Sequence, residues 1–402
     1  MANTLLTIDM ITKEALRLAH EKATFIGTIN RQFDDSFGAS SGKIGDTLRI
    51  RIPSEYTRRS GSRVMDVQDS VQVSTSLVVA TQDGVDMRFN SRELALDLDD
   101  FSQLHLEPAM ASLISNIDSD VLQGCTKSTY NWGGTAGTTI STLVAAGEAR
   151  TRLNRGLAPK GDRRIQVNSA VMASMVNGVA AYFNPSNAIS EQYREGFVAR
   201  TAMADYYENE RVWSMANVTS VTLSTTVLNG FVSTLGQTSM NIVNLTVSAQ
   251  AVGTKFTLAN VFDVHPETKQ SYGQLKQFTV VGVTNVSTYT ISPAIYRSGA
   301  RQNVAGTGVT TSSNAVTWLG VANSTYALGL MYHRDAFTFA TAALPLMGGG
   351  EKCVRRTYDG LSLRVWQDTD IRNDELLTRI DILYGFAVIR PQWASVVIGA
   401  AD

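Results

Sequence analysis

The chain is 402 residues long, 44% hydrophobic and 18% charged, with a net charge of −1. That length predicts two or three domains with a large core, and the composition excludes a disordered chain. The near-zero charge excludes a free-standing nucleic-acid binder, which carries a strong basic excess, and suits a protein that packs beside copies of itself.

The opening residues, Met1 to Leu6, show no basic region followed by an apolar run, so no signal peptide is expected. No stretch supplies the ~18 consecutive apolar residues of a membrane helix, so no membrane partner is expected. Two cysteines, Cys125 and Cys353, are too few for a disulfide framework and point to a reducing cytosol. The acceptor-like triplets at Asn217, Asn244, Asn285 and Asn323 are chance matches in a Thr/Ser-rich stretch.

In chain order, residues 8–23 are predicted helical, with Ile8, Ile11, Ala15, Leu18 and Ala19 on one face and Lys13 and Arg17 on another. Leu48, Ile50 and Ile52 then alternate with Thr47, Arg49 and Arg51. Val71, Val73, Thr75, Leu77 and Val79 repeat the pattern, so both runs read as half-buried strands. Between them Pro53 to Ser70 carries Arg58, Arg59 and Arg63, forming the charged tip of a long two-stranded arm. A two-stranded ribbon is marginal in water, so cover from outside its own fold is expected.

Asn90-Ser91-Arg92-Glu93 reads as a capping box ahead of a helix carrying Leu94, Leu98 and Phe101. The strongest helical pattern follows. Pro108 suits a first turn, and Leu106, Met110, Leu113, Ile114, Ile117, Val121 and Leu122 form one stripe that is predicted to stop at Gly124. A Gly-rich loop from Trp132 to Thr139 leads into shorter α and β pieces up to Met215.

The next block is set apart by charge. Residues 221–333 hold seven Asp, Glu, Lys or Arg: Lys255, Asp263, Glu267, Lys269, Lys276, Arg297 and Arg301. Thr, Ser, Val, Gly and Asn take their place, the residues of strands and turns. This block is read as an autonomous antiparallel β domain inserted into another domain. The chain returns through Ala336 to Phe339 and a turn at Gly348-Gly349-Gly350, and it ends in strands, Ile380 to Ile389 being the most apolar.

No catalytic, cofactor or metal site assembles from these residues. Gly38-Ala39-Ser40-Ser41-Gly42 fits a nucleophile elbow, but a polar stretch precedes it and a strand, not a helix, follows, so it reads as a hinge before the arm. Asp97, Asp99 and Asp100 near His105 read as partners of a helix start. His20, His105, His265 and His333 are too far apart in sequence for zinc spacing. Gly348 to Lys352 lacks the order of a phosphate loop. Cys125 has no nearby His in sequence to activate it and reads as structural.

Several stretches carry a family resemblance. They are Gly253-Thr254-Lys255-Phe256-Thr257-Leu258-Ala259-Asn260-Val261, His265-Pro266-Glu267-Thr268-Lys269, Gln274-Leu275-Lys276-Gln277-Phe278-Thr279-Val280 and Thr288-Tyr289-Thr290-Ile291-Ser292-Pro293. Arg379-Ile380, Tyr384-Gly385 and Arg390-Pro391 add a closing strand, and Gly196 to Arg200 a mid-chain stretch. With the order of elements, they resemble the major capsid (coat) protein of tailed bacteriophages, the HK-ninety-seven-type shell fold. The branch is the one with an inserted β-barrel domain, as in coat proteins of short-tailed enteric phages. Asn260 stands where that family often has Gly, so a different local turn is expected there.

The resemblance implies an α+β fold with an N-terminal arm at 1–35 and an extended β loop at 36–85. It implies a peripheral domain with a spine helix at 86–134, an axial domain at 135–220, the inserted β domain at 221–333 and return strands at 334–402. It implies self-assembly through pentamers and hexamers into an icosahedral shell around double-stranded DNA held by non-specific contact. Scaffolding protein and portal would be assembly partners, the virion the destination, and the host bacterial cytoplasm the place of assembly. Arg58, Arg59 and Arg63 are the subunit-interface candidates.

Asn229 to Gln250 carries no charge, so the acidic cross-ring loop of some relatives has no counterpart. No Lys occurs from Ile44 through Ser91, which removes the amine that some relatives use for a covalent cross-link between subunits. An encapsulin-like nanocompartment shell is the alternative, and a serine hydrolase using Ser40 the weakest reading.

Overall fold

A computed structural model describes residues 8–32, 47–62, 65, 67–69, 72–90, 105–140, 143–179, 204–217, 227–228, 235–243, 250–285, 287–307, 314–347, 352–358, 360–370 and 372–401. The fold is mixed α+β. The chain divides into two compact units: Met1–Ile50, Ser74–Val121 and Phe337–Ile389 form one, and Arg51–Val73, Leu122–Ala336 and Arg390–Asp402 the other.

The first unit opens with helix α1 (Ile8–Lys22), which buries Ile11, Thr12, Ala15, Leu16, Leu18 and Ala19. Its outer face is stitched by Lys13–Asp9 (3.0 Å), Arg17–Glu14 (2.7 Å) and Arg17–Glu21 (3.0 Å). The sheet of this unit contains β3 (Thr81–Asn90), β16 (Phe337–Ala342), β17 (Cys353–Tyr358), β18 (Leu361–Asp370) and β19 (Glu375–Val388). All pairings are antiparallel, and β19 takes three partners: β18, β16 and, over ten residues, β3.

At the centre of this sheet Asp381, 1% exposed, is bonded by Arg364 and by Arg379 Nε at 2.9 Å. Gly84 lies so close opposite that a Cβ there would fall 2.5 Å from Asp381 Oδ1. β3 ends at Asn90, the residue expected to begin a capping box. The rest of that box and its helix, with Asp97, Asp99 and Asp100, lie outside the described residues, as do Ser40 and its glycines, Gly196 to Arg200, and Gly348 to Gly350.

Helix α2 (Glu107–Ser128) buries the predicted stripe from Leu106 to Leu122. It continues past Gly124. The hydroxyls of Thr126, Ser128 and Thr129 bond back to the carbonyls of Leu122, Gly124 and Cys125 at 2.7, 2.9 and 2.9 Å, four residues earlier in the chain. In the first unit, buried Asp118 accepts Thr24 Oγ1 and the N–H groups of Phe25 and Ile26 at 2.7–2.9 Å, which fastens the segment after α1 to the helix.

Besides its part of the two-stranded arm, the described residues of the second unit form two sheets. The first is ordered β4 (Trp132–Gly133), β20 (Ala394–Ala401), β15 (Thr325–His333), β5 (Arg163–Val167) and β6 (Asp205–Glu208), with β7 (Ser214–Ala216) also on β15. Helix α3 (Val144–Arg155) packs on it through Ala146, Ala149 and Leu153. Helix α4 (Ser169–Val179) adds Met172 and Met175 to the same core.

The second is a seven-stranded antiparallel sheet: β8 (Val227–Leu228), β9 (Gln237–Val243), β10 (Lys255–Val264), β11 (Ser271–Val283), β12 (Thr288–Ile295), β13 (Val304–Ala305) and β14 (Val316–Trp318). Its core is aromatic. Phe256 stacks on Phe278 at 5.5 Å and meets Trp318 at 5.2 Å, and Tyr289 lies 6.1 Å from Trp318. The path runs from β8 to β13, with β14 also on β10, and no pairing joins these ends among the described residues. Residues 302–332, which hold no Asp, Glu, Lys, Arg or His, are split: β14 joins this sheet, while β15 lies in the other.

At Asn260 the backbone is left-handed (φ 57°) inside a register shift of β10 against β11. Gly is free there, and Asn is among the few other residues that adopt it routinely. The Asn/Gly difference thus falls where the backbone demands one of the two.

Candidate assembly surfaces

The arm is built from β1 (Thr47–Ile52) and β2 (Val73–Val78), which among the described residues pair only with each other. Its base has a core: Ile50, Leu77 and Val79 bury against Ala340 and Ala387. Arg49 Nε also bonds Ser74 Oγ across the pair at 2.6 Å.

Beyond Ile52 the ladder stops, because Pro53 has no N–H to donate. In the outer arm a side chain takes over part of that role. Gln68 Oε1 accepts the N–H of Thr57 at 2.8 Å, and its Nε2 donates to the Thr57 carbonyl at 2.7 Å. A glutamine amide thus stands in for the backbone of a partner strand.

Around this clamp the tip presents Tyr56, Met65 and Val67 at 58, 81 and 77% exposure. Arg58 and Arg59 are exposed beside them, and Arg63 lies outside the described residues. Large apolar side chains next to guanidinium groups form a surface complementary to an apolar, carboxylate-bearing face. In the second unit, Glu55 reaches Lys269 Nζ at 3.9 Å on the turn after β10, and Lys269 also donates to the Gln302 carbonyl at 3.4 Å. Burial lowers the pKa of Lys269, while Glu55 acts in the opposite direction.

The inserted sheet meets the segment after α2 through a second clamp of the same kind. Gln277 Oε1 accepts the N–H of Trp132 at 2.9 Å and its Nε2 donates to the Trp132 carbonyl at 3.1 Å. Nearby, Lys276 pairs with Asp263 at 2.7 Å and lies 5.3 Å from the Tyr130 ring. Sequence reasoning found the arm and its arginines but missed both glutamines, since a lone side-chain amide carries no periodic signal.

Among the described residues no group of three His, Cys, Asp or Glu is placed to hold a metal, and no helix is long and apolar enough to cross a membrane. The geometry offers surfaces for association.

A family model described as P22 coat protein, gene protein 5, matches residues 225–399. No curated protein sequence matches the chain. Among solved structures it is similar to a chain from Mycobacterium phage Che8, at 10% identity and a TM-score of 0.48, covering 93% of this chain and 90% of that one. It is also similar to the capsid of Ralstonia phage GP4, at 9% identity and a TM-score of 0.47, covering 94% of each chain. The capsid of cyanophage P-SCSP1u gives 11% identity and a TM-score of 0.46, covering 91% of this chain and 86% of that one.

Proposed function

We propose that this chain, a tailed-phage major capsid protein that forms an icosahedral shell, builds that shell from pentameric and hexameric rings around a double-stranded DNA genome. The carrying observation is the family match over residues 225–399, which takes in the inserted sheet and the return strands. It favours a phage coat over an encapsulin-like compartment, because the β insertion belongs with phage coats.

The subunit works as a structural element, without turnover. Residues 1–35 act as the N-terminal arm, 36–85 as the extended loop and 86–134 as the peripheral domain with its spine helix. Residues 135–220 and 334–402 supply the axial domain and return strands, and the inserted domain lies within 221–333. Scaffolding protein and portal join during assembly in the host cytoplasm, and DNA is enclosed through non-specific contact.

Each arm lies across a neighbouring subunit, where Arg58, Arg59 and Arg63 meet carboxylates and Tyr56, Met65 and Val67 are covered. The exposure of the three apolar side chains supports this reading, since removing such surface from water contributes about 25 cal/mol per Å². Many interfaces of modest strength then give a durable shell without covalent links.

The test is to produce the full chain with its scaffolding partner and examine the product by sizing chromatography and electron microscopy. Closed shells of rings are expected. Monomer alone under assembly conditions overturns the proposal.

A further inference from the structure

Lys255 opens β10 and is 0% exposed. Its Nζ reaches the carbonyl of Thr126 at 3.3 Å and that of Thr129. One carbonyl belongs to the last turn of α2, where it also accepts the Thr129 N–H at 3.3 Å, and the other lies just past the helix end, beyond the intrahelical N–H donors.

The surroundings hold cations and rings, and no carboxylate pairs with Lys255 among the described residues. On α2, the Lys127 ammonium lies 5.3 Å from the Trp213 ring, and the Lys127 carbonyl accepts Thr279 Oγ1 at 3.0 Å. On β11, Lys276 is occupied by Asp263 of β10. On β14, Val316, Thr317 and Trp318 bring no charge, and Leu319 N–H bonds the Lys255 carbonyl at 2.8 Å.

Two carbonyls match the two N–H bonds of a neutral amine. An ammonium adds a charge and a third donor inside an enclosure that supplies no counter-charge, and a buried charge of that kind drives its group toward water.

We propose that Lys255 is an acid-released latch: the inserted sheet stays seated on the end of α2 while the amine is neutral, and protonation of the amine favours release. Burial lowers the amine's pKa from 10.5 to about 7, whereas an opened state exposes it to water and restores the ordinary value. Opening therefore takes up a proton between these two values. It becomes easier, by at most about tenfold per pH unit, as pH falls from 10.5 to 7, and then levels off.

Hydrogen exchange of the full-length protein at pH 7, 8 and 9, corrected for intrinsic rates, tests this. In peptides spanning residues 122–131 and 253–260, protection is expected to rise between roughly tenfold and 100-fold from pH 7 to 9. A control peptide from β18 or β19 should stay flat. Lys255→Met removes the slope. Lys255→Arg, whose guanidinium stays charged throughout, gives low and flat protection. Equal slopes in target and control overturn the proposal, as does a wild-type slope that persists in Lys255→Met. The wild-type comparison decides by itself if neither variant folds.

Discussion

The arm and the inserted sheet are both β-structure, yet the sheet encloses an aromatic core and the arm beyond its base does not. The inserted sheet has seven strands and encloses Phe256, Phe278, Tyr289 and Trp318, each at most 4% exposed. The arm has two strands, and outside its base it leaves Tyr56, Met65 and Val67 in solvent. Strand-forming residues alone do not make a stable body. A buried face does, and a two-stranded ribbon has no second layer with which to make one.

The sharpest way to break this comparison is to delete one ring from the sheet and one apolar side chain from the arm. Phe278→Ala should cost about 3–5 kcal/mol, while Val67→Ala should stay within roughly 0.5 kcal/mol, both read from urea unfolding of unassembled protein. Equal losses would mean that the arm has a core of its own.

Next in size is Gln68→Ala. It removes two hydrogen bonds worth roughly 0.5–1.5 kcal/mol each, so proteolysis within 53–69 should speed up while the global melt stays put. A lowered global melt would show the arm to be part of the cooperative unit.

Replacing Arg58, Arg59 and Arg63 together by Ala should leave the unassembled protein within about 0.5 kcal/mol of wild type. Shell yield, scored by sedimentation, should nevertheless drop sharply. Normal shells from the triple variant would remove these arginines from the interface.

The smallest expected effect is none. Mature particles boiled in detergent should run as one band near 43.6 kDa, whereas a ladder resistant to reductant would reveal covalent links.

The parts of this architecture legible in the sequence were those with a period. The buried face of α1, the stripe of α2 and the two arm strands follow from spacing alone. β3 is not among the predicted strands: Asp83, Gly84 and Asp86 dilute its apolar signal, although Val85, Met87 and Phe89 alternate along it. The predicted stop of α2 at Gly124 is too early because the helix runs on through Thr126, Lys127 and Ser128, which carry no apolar period. The burial of Lys255 was hidden for the same reason. Cations are expected outside, and only the tertiary fold brings the carbonyls of Thr126 and Thr129 to meet this one.

The glutamine clamp of the arm has a consequence during synthesis, when many copies crowd together before they find their neighbours. A ribbon laddered to its tip would offer rows of open N–H and C=O groups, and a second ribbon would zip onto them. Here a side-chain amide bonds both backbone groups of Thr57, just beyond a proline with no N–H to lend. The arm can therefore hold its shape while offering a passing strand little to template on. Its preference is carried by side chains, which select a particular face, and not by backbone, which would accept any.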